Sequence, residues 1–150
     1  MTKGEKAKAL FLEGYNCAQA VFGAFCEDFG LDFETAMKMS SGFGGGIGRL
    51  REVCGAVSGM VMVLNMKYGY TSPTDNDGKM LHYKRVQDVA NNFSQENGSI
   101  ICRELLGLSE KVSAPTPEVR TSEYYKKRPC KELVEMAADI VDAYMKEIDS

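Results

Sequence analysis

The residues with chemistry to offer are five cysteines, Cys17, Cys26, Cys54, Cys102 and Cys130, separated by 9, 28, 48 and 28 positions. As thiolates they attack disulfides and bind soft metal ions. No Cys-x-x-Cys pair occurs, which argues against a thioredoxin-type dithiol, a zinc ribbon and a zinc finger. Cys-x-x-Cys-His is also missing, so no covalent haem is expected. The single histidine, His82, reads as a packing or solvent-facing helix residue. If the cysteines meet, they come from separate helices, and the tertiary fold makes the site.

Four of the five share one predicted slot, the start of a helix. Cys17 follows Asn16, whose side chain suits an N-cap. Cys54 opens an apolar segment, Cys102 lies three residues past Ser99, and Cys130 follows Pro129. Backbone N–H groups and the helix dipole favour thiolate there. Neighbouring cations push the same way: Arg49 and Arg51 before Cys54, Arg103 beside Cys102, and Lys126, Lys127, Arg128 and Lys131 around Cys130. Cys26 falls late in its predicted helix, before Glu27 and Asp28, and reads as a small packing residue. Four thiolates can hold an iron–sulfur cluster or a zinc ion, or cycle through disulfides.

Between the first two predicted cysteine sites lies a run with five glycines in seven positions, Gly42 to Gly48. It fails the dinucleotide fingerprint, because Ile47 stands where the third glycine belongs, and it fails the phosphate-loop pattern. It does supply backbone able to approach a partner closely, with free N–H groups and a cation at its end. Gly44, Gly45, Gly46, Gly48 and Arg49 are therefore candidate cofactor contacts.

The elements that must position these groups follow a helical period. Helices are predicted from Asn16 to Gly30, from Phe33 to Met39 with Asp32 as cap, and from Cys54 to Met66, apolar nearly all round. Others run from Lys79 to Gln95, with Leu81, Val86, Val89, Ala90 and Phe93 inward, from Ser99 to Leu106, and from Lys131 to Ile148. Residues 71–78 and 113–117 are irregular connectors. No convincing strand alternation or internal repeat appears. The expected fold is all-α, a single domain over residues 1–150, a bundle of about five to seven helices with a central glycine-rich loop.

Composition sets the outer bounds. With 44% hydrophobic and 26% charged residues in 150, the chain has the ordinary globular mix and is not disordered. Its net charge of −3 gives no global basic field for nucleic acid or anionic membrane. The local run Lys126-Lys127-Arg128, beside Tyr124 and Tyr125, reads as a solvated turn or a thiolate stabiliser. No stretch of about 18 apolar residues occurs, nor a signal-peptide core, so a soluble, cytoplasmic protein is expected, where structural disulfides are rare.

Taken together these residues resemble the redox-active family labelled C-GCAxxG-C-C, a cysteine-signature group of small bacterial and archaeal proteins. The resemblance is carried by Gly14-Tyr15-Asn16-Cys17-Ala18-Gln19-Ala20-Val21 and by Gly42-Phe43-Gly44-Gly45-Gly46-Ile47-Gly48-Arg49. It continues in Val53-Cys54-Gly55-Ala56-Val57-Ser58-Gly59, Cys102-Arg103-Glu104-Leu105-Leu106-Gly107 and Cys130. Where the label reads Gly-Cys-Ala, this chain has Cys54-Gly55-Ala56. The resemblance implies that Cys17, Cys54, Cys102 and Cys130 are the signature cysteines and that Cys26 lies outside. The family is also similar to the split-Soret cytochromes, helical dimers carrying haem and ascribed an iron–sulfur centre. That implies an iron–sulfur cluster, a redox partner protein and a homodimer. The leading expectation is a redox protein whose four cysteines ligate a cluster and pass electrons. A thiol–disulfide oxidoreductase or sensor, and a non-catalytic domain that binds a partner or structural zinc, stay open beside it.

Overall fold

The computed structural model describes residues 1–109 and 112–150. Eight regular α-helices stand among them: α1 (Lys3–Leu12), α2 (Cys17–Gly23), α3 (Phe33–Ser40), α4 (Gly55–Tyr68), α5 (Asn76–Asn97), α6 (Cys102–Leu105), α7 (Ser122–Lys127) and α8 (Cys130–Asp149); a further helical turn at Gly44–Ile47 is broken by left-handed Gly45 and Gly46. No strand is present among the described residues, only an isolated antiparallel bridge between Val53 and Ile101. The all-α class holds. The helices are more numerous than expected, because α1 and α7 add to the six predicted elements. No helix among the described residues is long and apolar enough to cross a membrane.

Short polar side chains start the helices where the sequence placed them. Asn16 Oδ1 accepts from the Gln19 N–H while Gln19 Oε1 accepts from the Asn16 N–H, a reciprocal cap on α2. Asp32 caps α3 through the Thr35 N–H. Thr2 and Glu5 cap α1 in the same reciprocal way. α1 then buries Gly4, Ala7 and Phe11, one face at helical spacing, against α8. α8 answers with Leu133, Ala137, Val141 and Met145.

The core lies among α1, α2, α4 and α8, with α5 packed outside α4 and α8. Phe11, Phe22, Phe25, Phe93, Met60 and Leu64 are fully buried in it. α2 and α4 cross closely. A Cβ on Gly59 would stand 2.7 Å from Val21 Cβ, so this crossing requires a residue without a side chain.

Four expectations are corrected. The first predicted helix does not reach Gly30: α2 ends at Gly23, and a 3₁₀ turn over Cys26–Phe29 follows. Glycine is a weak helix interior residue, and the space beside Gly23 is taken by Met37 Cε, 2.9 Å from where a Cβ would stand. α6 starts after Ile101, because Ile100 and Ile101 are drawn into the extended pairing with residues 52–54. Ser99 still ties that entry, accepting from the Ile101 N–H and donating to Glu104. Pro129 is the cap of α8, and the helix proper begins at Cys130. On α5, Val86, Val89, Ala90 and Phe93 face inward as expected, but near its start Leu81 is 48% exposed and His82 is buried instead. His82, Val89 and Phe93 then share one stripe.

Candidate functional site

The four helix-start cysteines occupy closely equivalent positions in the fold. Cys17, Cys102 and Cys130 are the first residues of α2, α6 and α8, and Cys54 is the cap residue of α4. All four line one cavity of about 370 Å³. Gly44, Gly45, Gly46, Gly48 and Arg49 line it too, with Arg51, Arg120, Tyr124 and Arg128. Cys26 is elsewhere, buried in the apolar core with its thiol donating to the Gly23 carbonyl at 3.3 Å. It opens the 3₁₀ turn rather than ending a helix.

The glycine run makes this convergence sterically feasible. Gly45, Gly46 and Gly48 have left-handed φ values of 68°, 70° and 54°. Three further residues of the segment, Ile47, Arg49 and Arg51, are held at φ 67°, 69° and 61°, where a side chain is strained. The Arg51 N–H donates to Gly45 O and the Glu52 N–H to Gly46 O, which closes the loop on itself. A Cβ on Gly46 would lie 2.7 Å from Cys102 Cβ, so the loop can sit against that cysteine only as glycine. Next to it the Cys102 N–H donates to Glu52 O at 2.6 Å and the Cys54 N–H to Ile100 O at 2.8 Å. The segment before Cys54 and the start of α6 are thereby locked together.

The electrostatics differ from the sequence expectation at three thiols. Burial pushes Cys54 up to about 12. Cys17 is raised by its side-chain contact with Cys130 and by burial. Cys102 is raised by burial, against the opposing pull of Arg51. Desolvation outweighs the helix start at these positions. Only Cys130 is lowered, by the Cys17 thiol beside it and then by Arg128, Arg120 and Arg51. In this pair Cys130 ionises first and Cys17 keeps its proton.

Only some of the cations nearest in sequence act on the thiols: Arg128 pulls on Cys130 as expected. Lys126 and Lys127 are exposed, and Arg103 pairs with Glu52 at 3.3 Å. Arg49 lines the cavity, but its Nε donates to Ala114 O at 2.6 Å and its Nη2 lies 3.9 Å from Glu118. It therefore helps hold residues 112–121 over the site. Glu118 also accepts from Arg128 at 2.7 Å. Arg51 reaches Cys102 Sγ with Nη1 at 3.5 Å. Arg120, which no sequence signal marks, stacks 4.0 Å from the Phe11 ring centroid and donates to the carbonyls of Phe11 and Tyr15.

The four cysteines border one cavity. Among the described residues, no group of three His, Cys, Asp or Glu side chains is placed to hold one metal ion. A tetrahedral zinc site needs each sulfur about 2.3 Å from the ion.

Fold and site together define a helical protein with a buried polythiol centre walled by arginines. Residues 15–144, which include all four of these cysteines, match the family described as "Putative redox-active protein (C_GCAxxG_C_C)", and the chain belongs to that family. It is also 27% identical over 161 residues to an uncharacterized protein of Archaeoglobus fulgidus, covering 98% of each chain. No solved structure matches it.

Proposed function

We propose that Cys17, Cys54, Cys102 and Cys130 ligate an iron–sulfur cluster through which the protein passes electrons. The observation that carries this reading is the convergence of four thiols, from four separate helix starts, on one cavity of about 370 Å³. A bound cluster supplies reversible one-electron chemistry, and the protein sets its potential through charge, burial and hydrogen bonds to sulfur. The surrounding charge supports the reading. Arg51 and Arg120 have no carboxylate partner among the described residues, and Arg49 and Arg128 share Glu118. The wall is therefore cationic, the sign that accommodates a thiolate-ligated, anionic group. Gly46 and its neighbours bring backbone close to Cys102, where N–H groups could donate to sulfur. Electrons would come from and go to a partner protein.

Anaerobic reconstitution with ferrous iron and sulfide tests this. The expected product is brown, with visible absorption that dithionite bleaches. A colourless, iron-free protein with all five cysteines as free thiols would overturn it.

One observation favours a second reading: Cys17 and Cys130 open two helices at the same cavity, and Cys130 is the one thiol held toward its ionised form. In that case the Cys130 thiolate attacks a partner's disulfide, one partner sulfur leaves as thiolate, and Cys17 resolves the mixed disulfide. Two electrons pass to the partner, and a Cys17–Cys130 disulfide remains. Reversible loss of two free thiols on mild oxidation of iron-free protein supports this reading against the first.

A further inference from the structure

Arg51 combines two unfavourable features in one residue. It is 4% exposed, and a guanidinium out of water is costly unless an anion answers it. Its oxygen and sulfur partners are Ser113 Oγ at 2.9 Å from Nε and Cys102 Sγ at 3.5 Å from Nη1, with no carboxylate among the described residues. Its backbone also stands at φ 61°, where a residue with a side chain is strained by about 1–2 kcal/mol. Such strain persists only where the surroundings over-determine it. Those surroundings are explicit: the Arg51 N–H donates to Gly45 O, and its carbonyl accepts from the Arg103 N–H and from Arg103 Nη1. This turn presents the side chain to the cavity. Arg128 and Arg120 also act on Cys130, but Arg49 and Arg128 share Glu118 and Arg120 is held by two carbonyls, whereas Arg51 alone among these arginines hydrogen-bonds a thiol sulfur.

We infer that Arg51 is the built-in counter-charge of the cysteine site and sets its reduction potential. The inference rests on the redox reading above, but not on which couple operates. A cluster gains negative charge when it accepts an electron, and a disulfide yields anionic thiolate when reduced. A fixed buried cation favours the reduced form in both cases, so removing it lowers the potential in both. Arg51 is a positioning residue in this role, acting through charge on the sulfur ligands.

The test is potentiometry on the anaerobically reconstituted protein, and equilibration of the iron-free protein with glutathione buffers. Arg51→Gln and Arg51→Gly both remove the charge, and glycine also suits the left-handed backbone, so at least one folds. Either should shift the equilibrium about tenfold toward the oxidised form, about 59 mV for a one-electron couple and about 30 mV for the thiol couple. Arg51→Lys should recover most of that shift. The shift should persist in 1 M salt, because a buried charge is screened little. A change below twofold in both charge-removing variants, or an equal change in Arg49→Gln, overturns the inference. If the wild type takes up no iron, the cluster reading fails while the glutathione arm still tests Arg51. If iron binds and the potential does not move, only Arg51's role fails.

Discussion

The two ends of α2, α4 and α8 serve different purposes. Along their lengths these helices bury Val21, Phe22, Met60, Leu64, Val134 and Val141 in a filled, apolar core. At their first residues they deliver Cys17, Cys54 and Cys130 to a cavity with glycine, arginine and thiol walls. The core is dense and needs no chemistry; the cavity holds its chemistry at the cost of strain and buried charge. The comparison teaches that stability and reactivity are segregated along the same helices, so substitutions at one end should leave the other intact.

The largest expected effect breaks the core end. Phe22→Ala, fully buried on α2, should lower unfolding free energy by about 3–5 kcal/mol, read by denaturant titration. A loss below about 1 kcal/mol would mean that the core is not the fold's main support.

Next comes a reversal between two cysteines. Cys26→Ser should cost about 1–2 kcal/mol, since a hydroxyl replaces a thiol among apolar side chains, and it should leave iron binding untouched. Cys130→Ser, at a thiol that borders both core and cavity, should abolish iron binding. Retained iron binding in Cys130→Ser, or its loss in Cys26→Ser, would erase the distinction between the two cysteines.

A smaller effect concerns His82, buried where α5 meets α4. Its Nε2 meets Asn65 Oδ1 at 2.6 Å, and its Nδ1 has no hydrogen-bond partner. Burial, and then Arg85, lower its pKa from 6.5. The unfolded chain therefore takes up the proton first as pH falls. Stability from this group is complete above about pH 6.5 and is lost progressively below it, until the folded form also protonates. His82→Phe should flatten the slope of stability against pH in that window. An unchanged slope would show that protonation at His82 is not linked to folding.

The smallest expected change is at Ile47, 41% exposed and held at φ 67°. Ile47→Gly should raise thermal stability by roughly 0.5–1 kcal/mol, by relieving left-handed strain without opening the core. A loss of stability would show that the Ile47 side chain supports the loop by packing.

Much of this was legible in the sequence where local chemistry decides. Asn16 and Asp32 cap helices because their side chains reach an N–H three residues on, a relation contained in four consecutive residues. The helix-start placement of four cysteines followed from those punctuation marks, and the irregular glycine run from the residue type. What tertiary contact decides was hidden. α1, Lys3–Leu12, bunches its large apolar residues at Leu10, Phe11 and Leu12 instead of spacing them at helical intervals, and its support comes from α8, distant in sequence. Near the start of α5 packing decides the inward residue, and there His82 rather than Leu81 is buried. Thiol acidity was misjudged at Cys17, Cys54 and Cys102 because burial is a property of the folded molecule. Arg103, adjacent to Cys102, turns to Glu52, while Arg51 arrives from across the bridge. Arg120 reaches the cavity from an irregular segment that no pattern marks.

The central claim, that four cysteines and not the fifth form one cluster site, is tested most directly by iron and acid-labile sulfide per chain. The measurement compares anaerobically reconstituted wild type with the five single Cys→Ser variants. The account predicts that wild type and Cys26→Ser carry the same full complement. Cys17→Ser, Cys54→Ser, Cys102→Ser and Cys130→Ser should each lose most of it. Full loading in any of those four, or loss in Cys26→Ser, would contradict it.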